Sequence, residues 1–222
     1  MIPKLRPSPP LTLRAALEII GGLSTPSKMP GYSWSTSAKA CVTGTKLRTT
    51  KNSVCSSCYA MRNNYLWPVV KAAHARRLKA IDDPRFVEAF AFALNAKYSR
   101  MKGENRFRWH DSGDVQSVHH LTQINEIARL TPTIKHWLPT RERGFVRQYL
   151  GSGKRFAPNL TVRVSFPLIG GKLTNPDHPQ STVGRDTDPD IWQCPAPRQG
   201  NQCLSCSACW NPAVQTINYH KH

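Results

Sequence analysis

Seven cysteines fall into two groups in this 222-residue chain: Cys41, Cys55 and Cys58 near its start, and Cys194, Cys203, Cys206 and Cys209 near its end. A CxxC step folds back so that both sulfurs face one cation; Cys55–Cys58 makes one such step and Cys203–Cys206–Cys209 makes two in succession. The C-terminal four are therefore read as metal ligands that clamp a small Cys-rich lobe, with Zn2+ as first choice. A four-iron, four-sulfur (4Fe-4S) cluster stays open as the alternative, because consecutive CxxC steps are also iron–sulfur spacing. Cys41, Cys55 and Cys58 form a second metal site one ligand short, for which His74 is a spare fourth; buried free thiols are the other reading. An odd cysteine count at CxxC spacing fits reduced thiolates better than a disulfide framework.

Carboxylates are scarce, 13 Asp and Glu in all, so elimination is informative. Glu18, Glu88 and Glu126 fall on expected helices, Asp82 and Asp83 at a helix start, and Glu104 in a Lys/Gly-rich turn. Asp111 and Asp114 remain, in the segment Trp109-His110-Asp111-Ser112-Gly113-Asp114 directly after an expected strand. Two carboxylates three residues apart beside an imidazole can be driven to different pKa values, one ionised as nucleophile or base and the other protonated. Asp111, Asp114 and His110 are therefore the catalytic candidates. Helix capping by either Asp is the competing reading. Leu138-Pro139-Thr140-Arg141 ends the next expected strand, which puts Thr140 and Arg141 on the same rim of a parallel sheet, Arg141 suited to grip a phosphate through paired hydrogen bonds. Gly170-Gly171 follows a third strand and lets backbone N–H groups approach a ligand. Asp177, Asp186, Asp188 and Asp190 lie in the next loop and are read as solvent-exposed, one of them a spare second acid.

Lys and Arg number 31, and the formal net charge of +18 exceeds what solubility requires, so a polyanionic partner is expected, DNA first. Aromatic residues such as Tyr59, Tyr65, Trp67 and Trp137 interleave with the cations, a pattern that stacks unpaired bases while the cations hold phosphates. No apolar run reaches the roughly 18 residues of a membrane span, and the basic, Pro-rich start lacks a signal-type apolar stretch; the reading is a soluble, cytoplasmic protein.

The elements that must carry these residues are expected as follows. Helices span Leu11–Ile20, 64–81, about 83–100, Ser117–Leu130 and Glu142–Leu150, and strands span Arg106–His110, Ile134–Leu138 and Leu160–Phe166. Residues 23–57 read as one long loop. Alternating strand and helix is the pattern of a parallel α/β sheet, with its site at the C-terminal ends of the strands. The expected organisation is a basic arm and short helix over 1–22, an α/β catalytic domain over 23–190 and a metal-binding lobe over 191–222.

Cys41, Cys55-Ser56-Ser57-Cys58-Tyr59-Ala60, Phe107 to Asp114, Trp137 to Arg141 and the closing Cys209-Trp210 resemble the phage gene-product-88 type of small cysteine-rich proteins, a likeness that spans most of the chain and implies little about activity. More distantly, Asp111-Ser112-Gly113, Leu138 to Arg141, Gly170-Gly171 and the C-terminal cysteines are similar to the Asp-Ser-Gly signature, Pro-Thr-Arg stretch, base-contacting glycines and zinc site of the tRNA-guanine transglycosylase superfamily. Its phage DNA-acting (DpdA-like) branch replaces guanine in DNA by a 7-deazaguanine. That resemblance implies a parallel-stranded (β/α) barrel-like fold, trimmed relative to the roughly 250 residues of a full barrel. It also implies a guanine flipped out of the duplex and contacted by Trp109, Ser112, Gly113, Thr140, Arg141, Gly170 and Gly171. Asp114 or Asp111 would attack C1′ to form a covalent glycosyl intermediate, the other acid would handle the proton, and a free base such as preQ0 would enter. Lys135 and His136 stand where the superfamily has a nucleophilic Asp, which makes Asp114 the substitute. Two other classes remain: a non-catalytic, metal-stabilised nucleic-acid-binding protein and an iron–sulfur redox or radical enzyme.

Overall fold

The computed structural model describes residues 11–103, 105–171, 178–184 and 191–220. Seven strands, β1 (Tyr32–Trp34), β2 (Arg106–Trp109), β3 (Lys135–Thr140), β4 (Leu160–Ser165), β5 (Gln180–Val183), β6 (Trp192–Gln193) and β7 (Thr216–Tyr219), form one sheet in the order β1-β2-β3-β4-β5-β7-β6. Every neighbouring pair is parallel. The sheet is parallel as expected but open, with β1 and β6 at opposite edges, so the barrel expectation is corrected. Among the described residues all six α-helices precede β4, and no α-helix follows it. The segment after residue 190 supplies β6 and β7 to this same sheet.

Helices α1 (Leu13–Ile19), α3 (Pro68–Ala80), α4 (Phe86–Tyr98), α5 (Val118–Leu130) and α6 (Arg143–Gly151) fall within a few residues of their expected positions, with α2 (Val42–Leu47) added inside the expected loop. Local chemistry sets their ends. Ser117 accepts a hydrogen bond from the His120 amide at 3.0 Å to cap α5, and Pro68 occupies the first turn of α3, where its missing N–H costs nothing.

Strand alternation divides the interior in two. Phe107, Trp109, Leu138, Val162 and Val164 face a layer made by α1, α4, α5 and α6, where Trp34, Phe86, Phe90, Leu121 and Ile124 complete the main core. Trp137 and Ile217 instead pack with Ala208, Cys209 and Trp210, so the C-terminal cysteine segment covers the opposite, inner face. Trp109 is wholly buried and its indole N–H donates to His136 at 3.2 Å, which makes it a core residue and corrects its expected role against substrate. No helix among the described residues is long and apolar enough to cross a membrane.

Candidate functional site

The C-terminal ends of β1 to β4 share one rim, and the first cysteine group sits on it. After β1 the chain passes Ser35 and Thr36 to Cys41, the N-cap residue of α2. The loop after β2 docks on this passage: the Ser112 hydroxyl donates to the Thr36 carbonyl at 2.6 Å, and the Thr36 amide donates to the Ser112 carbonyl at 3.2 Å. Gly113 has φ +75° and a Cβ there would lie 2.2 Å from Thr36 Oγ1, so both conformation and space require glycine. The loop after β4 is stitched on as well, Val54 N–H to the Pro167 carbonyl and Ile169 N–H to the Asn52 carbonyl, both at 2.9 Å.

Two buried carboxylates fasten these loops. Asp114 accepts from the Val115 amide (2.8 Å), the Thr140 hydroxyl (2.6 Å) and the Arg141 amide (2.8 Å), tying the end of β2 to the end of β3. Burial pushes its pKa up to about 6 against the pull of those hydrogen bonds. Glu142 accepts from the Thr43 amide (2.8 Å) and hydroxyl (2.6 Å), so β3 also holds the first turn of the helix that begins at Cys41. Asp114, Thr140 and Glu142 are thus positioning residues around the cysteine loop.

The sulfurs of Cys41 and Cys55 each lie 3.6 Å from the point that a Cβ on Gly44 would occupy, and that Cβ would stand 2.9 Å from Cys41 Cβ. The missing side chain leaves the two thiols facing one small volume. Burial, then the Asp114 charge and the neighbouring Cys55 and Cys58, pushes Cys41 up to about 12; burial also raises Cys55, with Arg141 opposing it. Among the described residues no three His, Cys, Asp or Glu side chains are gathered round a single ion-sized point, so a bound metal would have to draw the sulfurs inward.

Beside this loop, Asp111 closes the end of β2. Its amide donates to Ser35 Oγ at 3.1 Å, its carbonyl accepts from the Tyr59 hydroxyl and its Oδ2 accepts from Tyr65 at 3.4 Å. Its Oδ1 is buried with no hydrogen-bond partner among the described residues. His110 is 4% exposed, has φ +55° and is wedged against Trp34, Trp109 and His120. Burial and the Arg108 charge hold its pKa down at about 3, so it is a neutral packing element under the rim and not the expected acid–base partner of the two Asp residues. Gly170 and Gly171 direct their N–H groups to Val183 (2.8 Å) and Leu168 (3.4 Å), within the fold rather than toward a ligand. His74 stacks on Tyr65, ring centroids 6.2 Å apart. Asp177, Asp186, Asp188 and Asp190 lie outside the described residues.

The C-terminal cysteines occupy a different setting. Cys194, Cys206 and Cys209 share the inner-face cluster with Trp137 and Trp210, and Cys209 Sγ is 3.1 Å from the Tyr219 hydroxyl. The fully buried Arg163 organises this segment by donating to the carbonyls of Gln180, Val214, Gln215, Ala208 and Asn211 at 2.9–3.4 Å. Arg108 lies over the Trp137 ring at 4.6 Å; burial works against its charge, and Tyr59, Asp111, Tyr219 and Cys209 more than offset that, so one cation links the rim to the inner-face cysteines.

Sequence reasoning missed Gly44, Arg108, Glu142 and Arg163. The two arginines had a signal: Phe107-Arg108-Trp109 and Val162-Arg163-Val164 each set a charge between core residues, which marks a strand face turned to a polar interior. Glu142 bonds 99 positions away and carries no such mark.

Among known families, the model described as Gene product 88 matches residues 11–212. No curated protein and no solved structure matches the chain.

Proposed function

We propose, for a chain that belongs to the phage gene product 88 family, that it is an iron–sulfur enzyme whose reaction centre is held by Cys41, Cys55 and Cys58 at the rim of the sheet. The observation that carries the reading is the gap at Gly44, where two cysteine sulfurs face a space kept clear of any side chain. Three protein thiolates leave one coordination position open for substrate, and an all-sulfur donor set suits zinc or iron–sulfur. Asp114 and Glu142 are engaged by three and two donors and His110 is buried and neutral, so among the described residues Asp111 is the one rim carboxylate left to serve a zinc-bound water as base, and iron–sulfur is the lead reading. When bound, such a cluster supplies one-electron chemistry. The protein's part is to place it where β1 to β4 converge and to bring the Arg141 charge near Cys55, where it opposes the burial that raises the thiol. The inner-face Cys194, Cys203, Cys206 and Cys209 hold a second, structural metal, Zn2+ or 4Fe-4S.

Anaerobic reconstitution with iron and sulfide, followed by electron paramagnetic resonance of the reduced protein, tests this. A signal that shifts on adding cyanide, and is lost in C41A/C55A/C58A, is expected from a cluster with an open iron. A spectrum indifferent to cyanide contradicts it.

One observation favours DNA-guanine transglycosylation as a second reading: Asp111 Oδ1, buried at the rim, has no hydrogen-bond partner among the described residues, which suits a nucleophile toward C1′ of a flipped nucleotide. Mass spectrometry of nucleosides from DNA incubated with protein and preQ0 decides it. A deazaguanine nucleoside that disappears with Asp111→Asn supports this reading, and unmodified DNA removes it.

A further inference from the structure

A cavity of about 400 Å3 adjoins the first cysteine loop, bounded by Ala40 and Ala60 on the cysteine side, by Tyr65 and His74 along one wall and by Lys39 and Lys71 at its edge. Tyr65 and His74 are nearly parallel, with an interplanar angle of 27°, and form one aromatic wall; the Tyr65 hydroxyl reaches Asp111 on the other side at 3.4 Å. The space is therefore one ring away from the rim. The surface around it is unusual for a soluble chain: Tyr59, Leu66, Trp67 and Val69 are 45%, 44%, 56% and 69% exposed within eleven residues of sequence. Cations are interspersed, since Arg62, Lys71 and Arg76 are exposed on the same stretch and Lys39 faces it from the turn before Cys41.

We infer that this surface binds a single-stranded nucleic acid, with one base in the cavity against Tyr65 and His74, a neighbouring base on Trp67, and phosphates on Lys39 and Lys71. The volume is within the range of small-ligand pockets, roughly 300–1,000 Å3, and accommodates a nucleoside. Exposed aromatic faces beside cations recognise unpaired bases, whose π-faces a duplex conceals, and the net charge of +18 supplies the long-range attraction. The inference names the substrate class of the rim centre and rests on that centre being where the reaction occurs; strand binding itself does not need the metal.

The test uses full-length protein as purified and fluorescein-labelled oligonucleotides of one sequence as single-stranded DNA, single-stranded RNA and duplex DNA, with anisotropy read over a range of salt. Single strands are expected to bind at least tenfold more tightly than the duplex, and the two single-strand arms identify the preferred sugar. K39M/K71M should weaken binding and lower the salt slope by about 1.4, two phosphate contacts at roughly 0.7 each. W67A should lose about tenfold and W67F should recover most of it, which separates stacking from misfolding. K154M/R155M, two exposed cations on the loop before β4 at the opposite rim, should leave binding near wild type. Equal losses in K39M/K71M and K154M/R155M, a W67A protein that binds as well as wild type, or duplex bound as tightly as single strands would overturn the inference. Any of these leaves the cyanide-sensitive signal untouched, so the two proposals fail separately.

Discussion

The two cysteine groups use the same ligand chemistry in opposite surroundings. The rim group is held from outside by side-chain carboxylates, Asp114 and Glu142, and opens toward exposed aromatics and a cavity. In the inner-face group Cys209 is buried and Cys194 and Cys206 pack partly exposed with Trp137 and Trp210, in a segment held by backbone carbonyls gathered on one buried guanidinium, Arg163. A site packed against the inner face of the sheet suits a structural metal. A site at the ends of parallel strands, with three cysteines and a glycine gap, suits chemistry.

If that contrast is right, damage to the two regions should differ in kind. The largest effect belongs to Arg163→Met, which strands five carbonyls in the interior and should cost about 3–5 kcal/mol, seen as a lower urea midpoint. At the rim, Asp114→Ala leaves three donors unmet, and the loss should be about 2–3 kcal/mol with the inner-face metal retained.

Acid acts on the layer beneath both regions. His110 and His136 are buried neutral with pKa values near 3, so lowering the pH below the ordinary histidine value protonates the unfolded chain first and removes stability. Asp114, raised to about 6, works in the other direction: between its ordinary value and 6 the folded state binds the proton more readily, so acid there adds stability. His120, likewise buried and held well below its ordinary value, adds to His110 and His136, so the histidines outweigh one aspartate and urea titrations should show a net loss of stability from pH 7 to pH 5. The smallest energetic effect and the sharpest contrast come from Gly44→Ala. Stability should change by no more than about 1 kcal/mol, helix propensity offsetting the contact with Cys41, while metal loading falls at the rim and stays intact on the inner face.

Much of the central fold was legible because β2, α5, β3, α6 and β4 follow strict periodicity, and their parallel arrangement placed Asp111, Asp114, Thr140 and Arg141 on one rim, as expected. The short outer strands were not legible. Tyr32–Trp34 is too brief to show a period, and Gln180–Val183 and Thr216–Tyr219 are too polar to read as buried; the sheet forms them by pairing with neighbours distant in sequence. The same distance hid the roles of the acids. Asp114 reads as a catalytic carboxylate until its three donors are seen, two of them 26 and 27 residues away, and Gly44 gains its part only through the fold that brings Cys55 beside Cys41, a pairing that the cysteine spacing suggests.

The most direct test is the iron and acid-labile sulfide content per chain after anaerobic reconstitution, in wild type and in C41A/C55A/C58A. The account predicts that the triple variant folds, keeps its inner-face metal and loses the iron and sulfide of the rim centre. A triple variant with the same iron and sulfide content as wild type, or a wild type that takes up zinc alone, would contradict it.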